Sequence, residues 1–584
     1  MNQNTDTIIL GINAYHGDSS ACILLNGELI AAIEEERLRR VKHWAGFPSQ
    51  AIKYCVSEAG LDPRNINHIS YSRNPMANFH KKILTTLKQR PNLGFIKGRL
   101  SNLSKFKNTD NTISNALGID VRDTKPRIHY IEHHLSHSAS AFLVSPFEEA
   151  AVVSIDAFGD FRSALLSHGK GSRITPFSAV DYPHSLGLLY TALTQYLGFP
   201  YYGDEYKVMG LASYGEPTYI DEFRNMISNT SSGKFRLNLK YFLHTTKGVE
   251  TTWNDCAPEV GRIYSKYMEH RLGPARLPEQ EIDQRHKDLA ASLQAVTEET
   301  YFHVLRHAQH VTKQKSLALA GGVAFNSVAN GKILNNTNFE NIYIQSAAGD
   351  AGTALGSASY VQNSILDNNR KFVMSSSYWG PSYNDSEIEE ALIKHGVHFR
   401  KLSDNQLFHT TASAIAKGKI IGWFQGRAEW GPRALGNRSI LVDPRNPEMP
   451  RILNERIKRR ENFRPFAPSI LLESTSEYFE QSYPDPFMLK VYKIKEAKKH
   501  IIPAVTHVDG TGRLQTVKKE DNPRYWALIK EFEVITGIPV LLNTSFNENE
   551  PMVCTPDEAI QCFQRAHMDM LIVGNYVAEL ESIE

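Results

Sequence analysis

The run EAAVVSI (Glu149–Ile155), DAFGD (Asp156–Asp160), FRSALLSH (Phe161–His168) decides the fold. It reads as a buried strand, a small acidic turn and a second strand. Gly169-Lys170-Gly171 then turns the chain into a third strand, Arg173 to Ala179. The same order opens the chain. Thr7 to Asn13 (TIILGIN) is a strand, Ala14-Tyr15-His16-Gly17-Asp18 a turn, and Ser19 to Leu25 a second strand. Asn26-Gly27 is a strong hairpin signal before the strand Glu28 to Ile33. The repeat is one of pattern rather than letters. Turns of this make-up can present backbone N–H groups to a phosphate.

Outward from these units the pattern becomes helical. Helices are expected from Pro48 to Gly60, from Ser185 to Leu197 and, longest, from Lys287 to Val311. The segment 203–215 reads as a glycine-rich loop and helix, and 216–285 as a mixed insertion. Ser316 to Ala320 (SLALA) is a buried strand entering Gly321-Gly322-Val323-Ala324-Phe325-Asn326. Two glycines there let a ligand approach the backbone, or simply allow close packing. Asn341 to Gln345 is a strand leading to Asp350 and a small-residue helix. Two strand–turn–strand units, each followed by helices, form the α/β layout shared by actin, hexokinase and the heat-shock ATPases. In that class two ribonuclease-H-like halves clamp a nucleotide.

Glu132-His133-His134-Leu135-Ser136-His137 lies where a strand, Arg127 to Ile131, meets a helix. Helical residues four apart share a face, so His133 and His137 can offer two imidazoles to one metal ion. A His134/His137 pair at spacing three is the alternative. Two histidines do not close a metal site. Asp156 and Asp350, both at strand ends, are the candidate carboxylates. Each taken alone reads equally well as a helix cap or turn acid.

The 584 residues are too many for one core, so two to four domains are expected. A hydrophobic fraction of 41% and a charged fraction of 22% are those of a globular protein. A net charge of +2 argues against a nucleic-acid or membrane partner. Five scattered cysteines suit a reducing cytoplasm and argue against a thiolate zinc site. The start of the chain lacks the features of a signal peptide. No apolar run approaches the roughly 18 residues a membrane span needs. The charge run Glu34 to His43 reads as a solvated face, with Lys42 in reach of the first turn. The basic stretch Asn78 to Lys107 has few aromatics and reads as a solvated, partly helical insertion.

From about residue 371 the character changes. Ile420 to Arg427 is strand-like, and AEWGPRALGNR (Ala428–Arg438) carries Arg433 and Arg438. Lys458, Arg459, Arg460 and Arg464 follow around Phe463 and Phe466. Thr506 to Val517 reads as a turn carrying Arg513, and Leu541 to Asn547 as a strand ending in Ser545 and Asn547. Arginine is favoured where phosphate is bound by two parallel hydrogen bonds. A polyphosphate pocket is the preferred reading.

At these motifs the chain resembles the O-carbamoyltransferase family of nodulation-factor, cephamycin and aminoglycoside enzymes. The match runs from NAYHGDSSA (Asn13–Ala21) through EHHLSH (Glu132–His137), DAFGD, DEYKVMGLASYG (Asp204–Gly215) and LAGGVAFN (Leu319–Asn326). It continues through WFQGRAEWGPRALGNRSILVDPR (Trp423–Arg445), ENFRPFAPS (Glu461–Ser469), THVDGTGRLQTV (Thr506–Val517) and LLNTSFN (Leu541–Asn547). One departure is Asp156-Ala157, where Asp-Gly is expected.

The resemblance implies an N-terminal actin-like, Kae-like domain over 1–370 and a C-terminal YrdC-like α/β domain over 371–584. It implies that carbamoyl phosphate and ATP, with Mg²⁺, give carbamoyladenylate and pyrophosphate in the C-terminal domain. The intermediate would pass through the interior, and an acceptor hydroxyl in the N-terminal domain would take the carbamoyl group as AMP leaves. Arg427, Arg433, Arg438, Lys458, Arg464 and Arg513 would orient the phosphorylated substrates, with Ser545 and Asn547 as neutral donors. A metal on His133, His137, Asp156 and Asp350 would hold the adenylate phosphate; mixed ligation suits Fe²⁺ or Zn²⁺, and the resemblance favours iron. Gly321, Gly322 and Asn326 would border the adenosine, and Lys42 and Lys207 would contact phosphate. The general base would be His16. The expected acceptor is a hydroxylated small-molecule natural product. Oligomeric state is not legible, with a homodimer the form entertained. Two rivals remain: a sugar kinase or ATPase built on the actin-like half, releasing ADP, and a threonylcarbamoyl-type RNA-modifying enzyme, which the near-neutral charge disfavours.

Overall fold

A computed structural model describes residues 6–89, 109–246, 251–252 and 256–579. The chain forms two compact units, Met1–Met374 and Ser375–Glu584.

The first unit holds two five-stranded sheets. One contains β1 (Ile8–Asn13), β2 (Ser20–Leu25), β3 (Glu28–Glu34), β4 (His68–Tyr71) and β5 (Arg127–Tyr130), in spatial order β3-β2-β1-β4-β5. The other contains β6 (Glu149–Gly159), β7 (Arg162–Lys170), β8 (Arg173–Asp181), β9 (Ser316–Ala320) and β10 (Asn341–Ile344), in order β10-β9-β6-β7-β8. Counted within its own half, each sheet runs 3-2-1-4-5. In each, strands 1, 2 and 3 pair antiparallel, and strand 4 pairs parallel to strands 1 and 5. This is the ribonuclease-H-like sheet, present twice, as the actin-like class requires.

Strands buried on both faces explain the continuous apolar runs: all six residues of β1 are buried. The Asn26-Gly27 turn has both residues at positive φ, 53° and 91°, which joins β2 to β3 with matching twist. After the fifth strand of each sheet comes a helix: α1 (His133–Phe142) after β5 and α2 (Thr353–Tyr360) after β10. They pack against each other, α1 lying on the second sheet and α2 on the first. The close approach needs Gly356, because a Cβ there would collide with Ser136 O.

Three local expectations are corrected. The DAFGD segment is not all turn. β6 continues through Gly159 with a register irregularity after Ile155, and the chain reverses at Asp160-Phe161. The Glu34–His43 run is not a solvated face. Glu35 and Arg37 are buried, and the Glu35 carboxylate accepts from Gln50 N and Ala51 N, capping the helix Ser49–Glu58. The mixed insertion contains short elements, among them the helices Ile220–Met226 and Lys266–Leu272. Much of the basic stretch, 90–108, lies outside the described residues.

The second unit is a mixed nine-stranded sheet. In chain order its strands are β11 (Phe399–Lys401), β12 (Ile421–Phe424), β13 (Arg438–Val442), β14 (Ala467–Leu471), β15 (Lys490–Lys493), β16 (Thr511–Val517), β17 (Val540–Ser545), β18 (Met570–Val573) and β19 (Tyr576–Glu579). They lie in the order β11-β19-β18-β12-β13-β17-β14-β16-β15. Arg513 therefore sits within a strand; the turn is confined to His507–Gly510, where Gly510 N–H donates to His507 O. Among the described residues no helix is long and apolar enough to cross a membrane.

Candidate active site

The histidine helix starts with a double fastening. Glu132 caps it by accepting from Leu135 N (2.8 Å). Asp160, at the hairpin tip, accepts from His133 N (3.0 Å). His133 and His137 then lie one turn apart with their Nε2 atoms 3.1 Å from each other. Asp156 Oδ2 is 2.9 Å from His137 Nε2 and 3.6 Å from His133 Nε2. Asp350 Oδ1 is 3.5 Å from each of the two. The four ligand atoms lie within 4.8 Å of one another. His134 turns away and hydrogen-bonds Ser154 Oγ (2.9 Å), and burial holds its imidazole well below the ordinary range. That removes the His134/His137 alternative.

The donor set fits a divalent cation. Two imidazole nitrogens and two carboxylates converge in a nearly closed space, with both histidines almost fully buried. Burial disfavours the imidazolium of His137, yet Asp156 and Asp350 carry it up to about 9. Burial and Asp156 disfavour the Asp350 carboxylate, yet His137 and His16 hold it down to about 2. Mutual attraction between the imidazoles and the carboxylates accounts for both. Gly159 makes room, because a Cβ there would collide with the His133 ring, and a Cβ on Gly322 would come within 2.8 Å of Asp156 Oδ1.

His16 adjoins this cluster. Its Nδ1 is 3.3 Å from Asp350 Oδ2, and its ring stacks on His133 at 5.1 Å. Burial lowers its pKa below 6.5 against the pull of Asp350. Asp350 thus divides its carboxylate, Oδ1 toward the histidine pair and Oδ2 toward His16. In the same turn Asp18 Oδ1 meets His43 Nδ1 at 2.7 Å.

In the second unit the structure sorts the basic residues into two kinds. Arg433, Arg464 and Arg513 form a like-charge cluster with Arg460. Burial, and then the charges of these three neighbours, hold the Arg513 guanidinium well below its usual range. Bound anions would relieve such crowding. Arg464 is steadied by Glu461 (3.4 Å), and Arg460 by Asn454 Oδ1 (2.7 Å). The other kind is structural. Arg438 is fully buried on the Phe424 ring, and its guanidinium donates to Gln425, Gly426, Asn437 and Pro381 carbonyls.

The protein families place these sites in a known group. Residues 8–359 match the family described as "Carbamoyltransferase N-terminus", and 412–579 that described as "Carbamoyltransferase C-terminus". Nodulation protein NolNO of Sinorhizobium fredii is 39% identical over 97% of this chain and 79% of its own length. Nodulation protein NolO of Bradyrhizobium diazoefficiens is 40% identical over 76% of this chain and 78% of its own. An uncharacterized protein of Synechocystis is 42% identical over 98% and 96%. The chain belongs to the carbamoyltransferase family.

Within this carbamoyltransferase several residues expected at the substrates already have partners inside the protein. Arg438 is the clearest case: its guanidinium is committed to backbone carbonyls of the loops around it. Lys458, Ser545 and Asn547 do come together, but on one another; Lys458 Nζ donates to Ser545 O, Asn547 O (2.7 Å) and Asn547 Oδ1 (2.8 Å). Arg427 donates to Gly380 O (3.1 Å) and Trp379 O (2.8 Å). Asn326 caps the helix Ser327–Gly331, with its amide also committed to Gln294. Gly321 has φ 91° and lies tight against Ile155. Lys207 pairs with Asp204 (2.9 Å), and Lys42 is exposed beside Glu36 and His43. Arg460, quoted among the basic residues but not singled out, joins the arginine cluster. Arg73 was not singled out either; its charge reaches His16. The only sequence signal for it was its place just past the β4 strand.

Proposed function

We propose that this carbamoyltransferase works in two steps, using ATP and carbamoyl phosphate. In the C-terminal unit carbamoyl phosphate is hydrolysed to carbamate and phosphate. A carbamate oxygen attacks the ATP α-phosphorus, the bond to pyrophosphate breaks, and carbamoyladenylate forms. Arg433, Arg460, Arg464 and Arg513 hold the two anionic substrates together against their mutual repulsion. In the N-terminal unit a small-molecule hydroxyl attacks the carbamoyl carbon, the carbon–oxygen bond to the phosphate breaks, and AMP leaves with the electron pair.

The observation that carries this reading is the divided Asp350 carboxylate. Its Oδ2 beside His16 Nδ1 favours the tautomer protonated there, which makes Nε2 the unprotonated nitrogen of the ring. Burial keeps that ring neutral, so it accepts the hydroxyl proton as the new bond forms. The same carboxylate faces the histidine pair, which ties proton removal to the phosphate end of the substrate. A divalent ion on His133, His137, Asp156 and Asp350, Fe²⁺ or Zn²⁺ by donor chemistry and Fe²⁺ by family resemblance, would supply positive charge for that phosphate. Mg²⁺ would accompany ATP in the other unit.

The test is carbamoyl-phosphate-dependent exchange of pyrophosphate into ATP. It is joined to mass detection of a carbamoyl increment across a panel of hydroxylated natural products. AMP and pyrophosphate are the expected nucleotide products. ADP as the sole nucleotide product, without need for carbamoyl phosphate, refutes the reading.

A further inference from the structure

The loop after β4 carries a cation that no motif above uses. Arg73 follows Ser72, whose N–H donates to Ile12 O (3.1 Å) and whose Oγ donates to Asn13 Oδ1 (3.2 Å). It precedes Asn74, whose N–H donates to Asp160 Oδ2 (2.7 Å). Farther on, Asn78 Nδ2 donates to Asp160 O (2.9 Å). The Arg73 backbone is therefore confined between the end of β1, which leads directly into the His16 turn, and the tip of the second-half hairpin. The same Asp160 Oδ2 accepts from His133 N. One carboxylate joins the hairpin that bears Asp156, the helix that bears His133 and His137, and the loop that bears Arg73.

The latch is held under strain. Asp160 and Phe161 are consecutive non-glycine residues in the left-handed region, at φ 48° and 78°. Asp tolerates that conformation, but a bulky aromatic residue rarely adopts it. Such strain concentrates at functional sites. Burial weakens proton binding by the Arg73 guanidinium, and Asp160 opposes this as its counter-charge. The Arg73 charge in turn acts on His16. An arginine fastened between the strand that leads into the His16 turn and the carboxylate that also holds His133 N is placed to meet an anion that forms at the cluster.

We propose that Arg73 is a catalytic residue of carbamoyl transfer, binding the carbamoyl oxygen as it becomes an oxyanion, and that Asp160 is the positioning residue that aims it. This rests on the transfer reading above. As the hydroxyl oxygen bonds to the carbamoyl carbon, the C=O pair moves onto oxygen, and its proton passes to His16. When the pair returns, the bond to the AMP phosphate breaks. Arginine suits the oxyanion because it stays charged and presents several fixed donors.

The experiment compares Arg73→Gln, Arg73→Lys and Asp160→Asn in the full chain. Each is assayed for acceptor carbamoylation, pyrophosphate exchange, metal content and thermal midpoint. Losing one oxyanion donor typically lowers the rate by about 10²–10³-fold. Arg73→Gln is expected to lose transfer by that factor, keep exchange and bound metal, and regain part of its rate in added guanidinium. Arg73→Lys is expected to recover little, and Asp160→Asn to fall between wild type and Arg73→Gln. Wild-type transfer by Arg73→Gln overturns the assignment. So does a loss that guanidinium leaves untouched and that tracks lost metal or a lowered midpoint, in Gln and Lys variants alike. Exchange keeps the two readings apart. Its absence from the wild-type protein refutes the proposed reaction itself, whereas exchange with normal transfer by the Arg73 variants refutes only the role of Arg73.

Discussion

His16 and Asp350 carry the sharpest expectations at the scale of single residues. His16→Asn should lower carbamoyl transfer by about 10³-fold, within the usual range for a lost general base, while pyrophosphate exchange persists. Loss of both activities would make His16 structural. The pH profile follows from burial. Because the His16 pKa lies below 6.5, its neutral form is present through neutral pH. The transfer rate should fall only as pH drops through that lowered value; a fall beginning above pH 7 would contradict the assignment. His43 titrates in the opposite sense. Burial opposes its charge, but Asp18 and Glu36 raise its pKa from 6.5 to about 9. Its contribution to stability is complete below the unfolded value and is lost as pH rises through about 9. The thermal midpoint of wild type should therefore decline more between pH 6.5 and 9.5 than that of His43→Gln. Histidine spacing and strand-end acids made the grouping of His133, His137, Asp156 and Asp350 legible in the sequence. Arginines near glycine did not reveal their partners. Arg438 and Arg464 look alike in the chain, yet backbone carbonyls surround the first and like charges the second.

At the scale of elements, the hairpin tip and the histidine helix are one device. Gly159 faces the His133 ring with no room for a side chain. Gly159→Ala should displace that ring and weaken metal binding on the order of tenfold or more, the scale seen when a ligand's orientation is disturbed. Competition with a chelator measures it; wild-type affinity would show that the ring adapts. The strands were legible because their apolar runs are long and glycine or Asn-Gly marks their ends. The reversal at Asp160-Phe161 was not, because no local residue preference predicts φ 78° at a phenylalanine. Contacts with Asn74 and His133, remote in sequence, set the Asp160 side of that turn. Arg73 was missed for the same reason: its importance comes from the element it is fastened to.

For the whole molecule, the proposed division of labour makes metal removal selective. Stripping the protein with a strong chelator, removing the chelator and assaying in Mg²⁺ should abolish carbamoylation and leave carbamoyl-phosphate-dependent exchange near its untreated rate, with divalent iron or zinc restoring the product. Equal loss of both activities would refute the separation of roles. The repeated strand order was visible in the sequence as pattern. The placement of α1 and α2 between the sheets was not, since small-residue helices carry no mark of their partners. That placement has a further consequence. In the first half the turn after strand 1 supplies His16, and in the second the last part of strand 1 itself supplies Asp156. The helix after strand 5 supplies His133 and His137 in one half, and the approach to its counterpart supplies Asp350 in the other. Matching positions thus converge on one place, as they would around a local twofold axis. Each half therefore brings one kind of donor, imidazole from the first and carboxylate from the second, so neither half carries the full donor set by itself.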